Sequence, residues 1–230
     1  MIGATVGSQE PDRVQVPAGL VTLEGNLGIP PNPRGVVLFA HGSGSSRHSS
    51  RNRFVAQTLR DGRLATLLLD LLTTEEEAID MRTAHLRFDI GLLAQRLIAA
   101  TDWLKSNPKT ADLDIGYFGA STGAGAALVA AAQRPDVVST VVSRGGRPDL
   151  AGAYLRQVRA PTLLIVGGND VPVIGMNKDA MAQMRCEVRL EIIPGATHLF
   201  EESGALEKVA DLARDWFERY LGVLRIERQL

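Results

Sequence analysis

Between residues 35 and 221, short apolar runs alternate with helical patterns, and this alternation constrains the fold of the chain most. GVVLFAHG, LATLLLDLL, IGYFGAS, STVVSRGG, PTLLIVGGND and VRLEIIPG read as strands. The leading ones are continuous apolar runs, as strands covered on both faces should be. Helical spacing lies between them. It is seen in RFVAQTLRDG, with Phe54, Val55 and Leu59 on one side, and in a long stripe from Leu86 to Leu104. It returns in the alanine-rich AALVAAA, in a short segment before PTLLIVGG, in GMNKDAMAQM and in a C-terminal stripe over 206–221. Strand alternating with helix predicts a doubly wound α/β domain with a mostly parallel sheet. A ligand site in such a domain belongs at the carboxyl ends of the strands.

Ahead of this region, VQVPA and LVTLEGNLGI predict a hairpin turning at Gly19. Pro30, Pro31 and Pro33 make the next stretch a loop. TTEEEAIDMRTA reads as a polar surface loop. There is no internal repeat, no low-complexity linker and no insertion long enough for a separate cap, so one domain over residues 1–230 is expected.

Charge narrows the partners. The formal net charge is -1, which gives no global basic field for nucleic acid or an anionic membrane. No apolar run approaches the ~20 residues that span a bilayer. MIGATVGSQEPDRV lacks a basic segment followed by an apolar one, as a signal peptide would have. The single cysteine, Cys186, forms neither an intrachain disulfide nor a zinc motif and reads as a partly buried thiol. The expectation is a cytoplasmic protein that acts on a small molecule, with no nucleic-acid or membrane partner. Its oligomeric state stays open.

The chemistry concentrates around GYFGASTGAG, residues 116–125. Gly119 to Gly123 matches G-x-S-x-G, and the match sits between a strand and a helix, where a nucleophile elbow must sit. Ser121 is the candidate nucleophile. Small residues two before and two after it let the backbone turn sharply between strand and helix. The competing reading is a glycine-rich helix start that only packs closely. A serine also needs a base. Of four histidines, His85 falls on the long helix, and His41 and His48 lie in or near the loop after the first parallel strand. His198 follows the last strand and is the best candidate. Asp170 ends LLIVGGND and can orient His198, ahead of Asp149 and Glu191. Capping of the next helix is the competing role for Asp170. Donors for an oxyanion would be the backbone N–H groups of Thr122, next to the serine, and Ser43, in HGSGSS.

FAHGSGSS, GASTGAG, VGGND and PGATH, in this order, resemble the α/β-hydrolase superfamily and, within it, its compact dienelactone-hydrolase-like branch. The resemblance covers residues 35–221. It implies an α/β-hydrolase fold: an eight-stranded, mostly parallel sheet whose second strand is antiparallel, with helices on both faces and no cap domain. It also implies a Ser121–His198–Asp170 triad with an oxyanion hole at Ser43 and Thr122, and no metal or cofactor. Authentic dienelactone hydrolases use a cysteine nucleophile, and this chain has Ser121 there. A general carboxylic ester hydrolase acting through an acyl-enzyme is therefore expected, with a lactone hydrolase as the alternative.

The segments SSRHSSRNR and SRGGRPD put Arg47 and Arg144 on the same sheet edge as the serine. They are candidate anchors for a carboxylate or phosphate of the substrate. Solvated charge is the plain alternative. Two other classes stand beside the hydrolase. One is a nucleotide-binding Rossmann-type enzyme built on Gly42-Ser43-Gly44 and Asp70, although Arg47 stands at its third glycine and no P-loop lysine is present. The other is a non-catalytic α/β-hydrolase-like binding protein, against which the complete Ser, Asp and His set argues.

Overall fold

A computed structural model describes residues 10–222. The N-terminal residues 1–9, on which most of the signal-peptide reading rests, lie outside it. The hairpin forms as expected: β1 (Asp12–Ala18) and β2 (Val21–Gly28) pair antiparallel, and Gly19 takes φ +68 in the turn. The parallel strands follow as β3 (Gly35–Ala40), β4 (Leu64–Leu69), β5 (Ile115–Ala120), β6 (Val138–Arg144), β7 (Thr162–Gly167) and β8 (Val188–Ile193). They form one eight-stranded sheet in the order β1-β2-β4-β3-β5-β6-β7-β8. β2 joins β4 antiparallel, and every later pair is parallel. This is the α/β-hydrolase fold.

Residue type decides position in the sheet. β3, β4, β5 and β7 are buried at every residue, as continuous apolar strands must be. The edge strand β8 carries Arg189 and Glu191 among its apolar residues, charges that discourage pairing with another chain.

Helices cover both faces. On one lie α1 (Ser50–Asp61) and α6 (Ala205–Tyr220), packed on Val37, Phe39, Phe118, Val142 and Ile165. The α6 stripe is the predicted one: Val209, Ala210, Ala213, Trp216 and Phe217 are buried. On the other lie α3 (Ile90–Ser106) and α4 (Thr122–Gln133), packed on Leu38, Leu67, Tyr117 and Val141. A 3-10 segment (Pro148–Gln157) and α5 (Val171–Met181) complete the crossovers to β7 and β8.

Three local expectations change. TTEEEAIDMRTA is not a loop: Thr74–Thr83 form helix α2, closed by a capping box in which Thr73 Oγ1 accepts from Glu76 N–H and Glu76 accepts from Thr73 N–H. The long helix begins at Ile90, after a 3-10 turn (Leu86–Phe88), because Asp89 caps it by accepting from Leu92 N–H. His85 therefore lies outside it, exposed. Phe54 leaves the apolar side of α1 and is 40% exposed, whereas Val55 and Leu59 are fully buried.

Candidate active site

Ser121 links β5 to α4 with φ +50 and ψ −124, a conformation that a non-glycine residue adopts only under constraint. The neighbouring glycines explain how the turn is possible. A Cβ on Gly119 would come within 2.5 Å of Ala124 Cα, and one on Gly123 within 2.3 Å of the Ala40 carbonyl oxygen. Both contacts are with backbone, so neither can relax. The same glycines therefore let helix and sheet close together and let the serine turn outward. Ser121 is accordingly partly exposed while Thr122 and Gly123 are buried.

The loop after β7 is tied to the loop after β8. Gly168 N–H donates to Ile193 O, Asn169 N–H to Ala196 O, and the Asn169 side chain to Gly195 O. This stitching brings Asp170 to His198, whose Nδ1 lies 2.6 Å from Asp170 Oδ2. Asp170 does occupy the N-cap position of α5, but its side chain makes no capping bond there. The His198 ring lies beside Gly145, which follows β6: a Cβ there would be 3.6 Å from His198 Cε1. The elbow is adjacent, since Ser121 N–H donates to Arg144 O. The loop after β8 thus carries His198 across to the end of β6, beside the elbow after β5, but Ser121 and His198 are not hydrogen-bonded to each other. Asp149 instead pairs with Arg147, and Glu191 with Arg189.

The loop after β3 closes over the elbow from the other side. A Cβ on Gly42 would lie 2.9 Å from Ser121 Cβ. Ser43 N–H is already engaged: it donates to Thr122 Oγ1 at 3.1 Å, and the two hydroxyls lie 3.0 Å apart. Thr122 N–H, at the first position of α4, makes no hydrogen bond among the described residues, as expected for the start of a helix. His41 holds this loop. Its Nε2 accepts from Leu71 N–H at 3.1 Å, which puts the ring proton on Nδ1, beside Gly42 O. Burial lowers the pKa of His41 and keeps it neutral. A cavity of about 270 Å³ opens here, with Ser43, Thr122 and Glu77 on its polar side and Leu71, Leu72 and Met81 on its apolar side. Helix α2, absent from the sequence reading, provides part of its wall.

The two candidate arginines part company. Arg47 is held by the carboxylates of Asp70 and Glu24. It is balanced charge, and Asp70 is thereby committed to a side-chain partner rather than to a ribose. Arg144 is 6% exposed, and among the described residues no carboxylate pairs with it. Its Nη2 donates to Asn52 Oδ1 at 3.3 Å, its Nε has no partner, and its guanidinium lies 5.9 Å from the Phe200 ring centre. Burial first, and the charge of Arg51 second, push its pKa down to about 10. Phe200 escaped the sequence reading. It is buried with φ +57, a costly conformation for a bulky residue, and it anchors the segment that carries His198. Among the described residues no group of His, Cys, Asp or Glu side chains could hold a metal ion.

A model of the Dienelactone hydrolase family matches residues 23–226. A protein of Mycobacterium tuberculosis (strain H37Rv) that is provisionally named a phosphoribosyl transferase is 60% identical over 210 residues. The match covers 91% of this chain and 46% of that protein, so the chain spans about half the length of the curated relative. The crystal structure of a dienelactone hydrolase from Anabaena variabilis is 66% identical, with a TM-score of 0.91, over 93% of this chain and 98% of the other. Est1E from Butyrivibrio proteoclasticus shares the fold at 16% identity, with a TM-score of 0.75 over 90% and 98%.

Proposed function

This chain belongs to the dienelactone hydrolase family, and from that premise we propose that it is a serine hydrolase cleaving carboxylic esters of small soluble molecules. One observation carries the reading: the 2.6 Å bond between His198 Nδ1 and Asp170, beside a serine held at φ +50. With Asp170 on Nδ1, His198 turns Nε2 outward as a base. His198 takes the proton of Ser121 as the hydroxyl attacks the ester carbonyl. The alcohol leaves with that proton, and a water activated by the same ring releases the acid. Catalytic hydrogen bonds are often long in the free enzyme and tighten in the complex, so the open Ser121–His198 link agrees with this role. The backbone N–H of Thr122 would face the oxyanion, whereas that of Ser43, the second expected donor, is held by Thr122 Oγ1. The reaction draws on side chains and backbone alone.

Arg144 supports a substrate that carries an anionic group near the reacting carbonyl. A guanidinium buried without a counter-ion is costly, and an arriving carboxylate or phosphate would offset part of that cost. Arg47 has no such capacity left. No described helix is long and apolar enough to cross a membrane.

The test is hydrolysis of a panel of p-nitrophenyl esters, anionic and neutral, by the wild-type protein and by Ser121→Ala and Arg144→Gln. The proposal expects wild-type turnover that Ser121→Ala abolishes. It expects Arg144→Gln to lower kcat/KM for the anionic esters more than for the neutral ones. Full activity in Ser121→Ala would reject the esterase reading, and an unchanged preference in a folded Arg144→Gln would reject the anionic one.

A further inference from the structure

Counting protons beside Ser121 leaves one unaccounted for. Ser43 and Thr122 bring three donors together: the Ser43 N–H, the Ser43 hydroxyl and the Thr122 hydroxyl. The N–H is taken by Thr122 Oγ1. The contact between the hydroxyls, at 3.0 Å, uses one O–H, whichever oxygen donates. Neither oxygen has another bonding partner among the described residues, so one hydroxyl proton is left over. Its position is also constrained. Ser43 and Thr122 both line the cavity beside the elbow, and Gly42, the residue before Ser43, abuts the Ser121 side chain.

The arrangement favours one direction for the chain of bonds. A sequence running from Ser43 N–H to Thr122 Oγ1–H to Ser43 Oγ is head-to-tail, and each bond in such a chain polarises the next. It ends on the hydroxyl of Ser43, which is partly exposed, rather than on that of Thr122, which is 4% exposed. The alternative loads two donors onto Thr122 Oγ1 and strands its own proton in the more buried place.

We infer that the hydroxyl of Ser43 is a catalytic donor to the oxyanion, aimed by the hydroxyl of Thr122. This rests on the serine hydrolase reading above and adds to it a side-chain donor where the resemblance implied backbone alone. It also explains how the site can work while Ser43 N–H is engaged. The polarity of that N–H passes through two hydroxyls and emerges at the cavity. The oxyanion that forms when Ser121 attacks accepts this proton as a hydrogen bond, and no proton is transferred. Thr122 acts here in two ways: its N–H faces the oxyanion, and its side chain is a positioning group.

The experiment measures kcat and KM for one p-nitrophenyl ester in Ser43→Ala, Thr122→Val, Thr122→Ser and the double variant Ser43→Ala/Thr122→Val, with thermal unfolding as the check on folding. Loss of one oxyanion donor lowers kcat by about 10²–10³. A loss of that order is expected for Ser43→Ala, with KM little changed. Thr122→Val should lower kcat less, Thr122→Ser should recover most of that loss, and the double variant should be no worse than Ser43→Ala, because Thr122 acts through Ser43. Wild-type kcat in a folded Ser43→Ala overturns the inference and leaves the hydrolase reading standing. So does a Thr122→Val loss repeated in full on the Ser43→Ala background. If the wild-type protein hydrolyses no ester, the hydrolase reading and this inference fall together.

Discussion

The two sides of Ser121 are built differently. On one side, Asp170 and His198 are conspicuous chemical groups joined by a single 2.6 Å bond, and backbone stitching between their loops brings them together. On the other, the loop after β3 offers ordinary amides and hydroxyls. Their value depends on how His41, Gly42 and Thr122 place them. The first side depends on residue identity and the second on geometry. Substitutions should separate the two.

The largest effect belongs to the first side. His198→Ala should nearly abolish ester hydrolysis. Asp170→Asn should lower kcat by about 10⁴, as loss of the orienting acid does when the ring takes the wrong tautomer. Steady-state kinetics on a p-nitrophenyl ester measures both. If Asp170→Asn cost less than Ser43→Ala, the contrast between the sides would be wrong.

Gly123→Ala tests geometry at the elbow. The new Cβ would meet the carbonyl oxygens of Ala40 and His41 at 2.3 and 2.4 Å. Overpacking against rigid backbone costs about 1–3 kcal/mol, which is a fall of about 2–12 °C in Tm for a chain of this size. Calorimetry should show that fall together with reduced kcat. An unchanged Tm would mean that the elbow is looser than described.

His41 gives the second side a pH dependence. Burial lowers its pKa from 6.5, so the folded state binds fewer protons than the unfolded state once the pH falls below that value. The stability it contributes is complete above pH 6.5 and is lost as the pH drops toward the folded-state pKa. Protonation would place a proton on Nε2, opposite Leu71 N–H, and release the loop. Denaturant unfolding between pH 7.5 and 5 should show a smaller decline in His41→Gln than in the wild type. Equal slopes would remove His41 from the account. The smallest effect is at Cys186, partly buried and remote from both sides, where replacement by Ala should leave kcat unchanged.

The same division explains what the sequence revealed. Alternating apolar runs made the sheet legible, and elimination among four histidines pointed to His198. Helix α2 was missed because its apolar residues do not form a clear stripe, although Thr73 and Glu76 carried a readable capping signal. Phe54 was misplaced because helical spacing cannot say where a stripe ends. Arg47 and Arg144 looked alike, because the partners of Arg47 lie on β2 and after β4, each 23 residues away in sequence. The engagement of Ser43 N–H by Thr122 spans 79 residues and rests on loop placement, which no motif encodes.

The central claim is that Ser121 is an activated nucleophile. Treatment with a fluorophosphonate probe, followed by peptide mass spectrometry, tests it most directly. The account predicts one adduct, on Ser121, that is absent in Ser121→Ala and strongly slowed in His198→Ala. An unlabelled Ser121, or labelling that does not depend on His198, would contradict it.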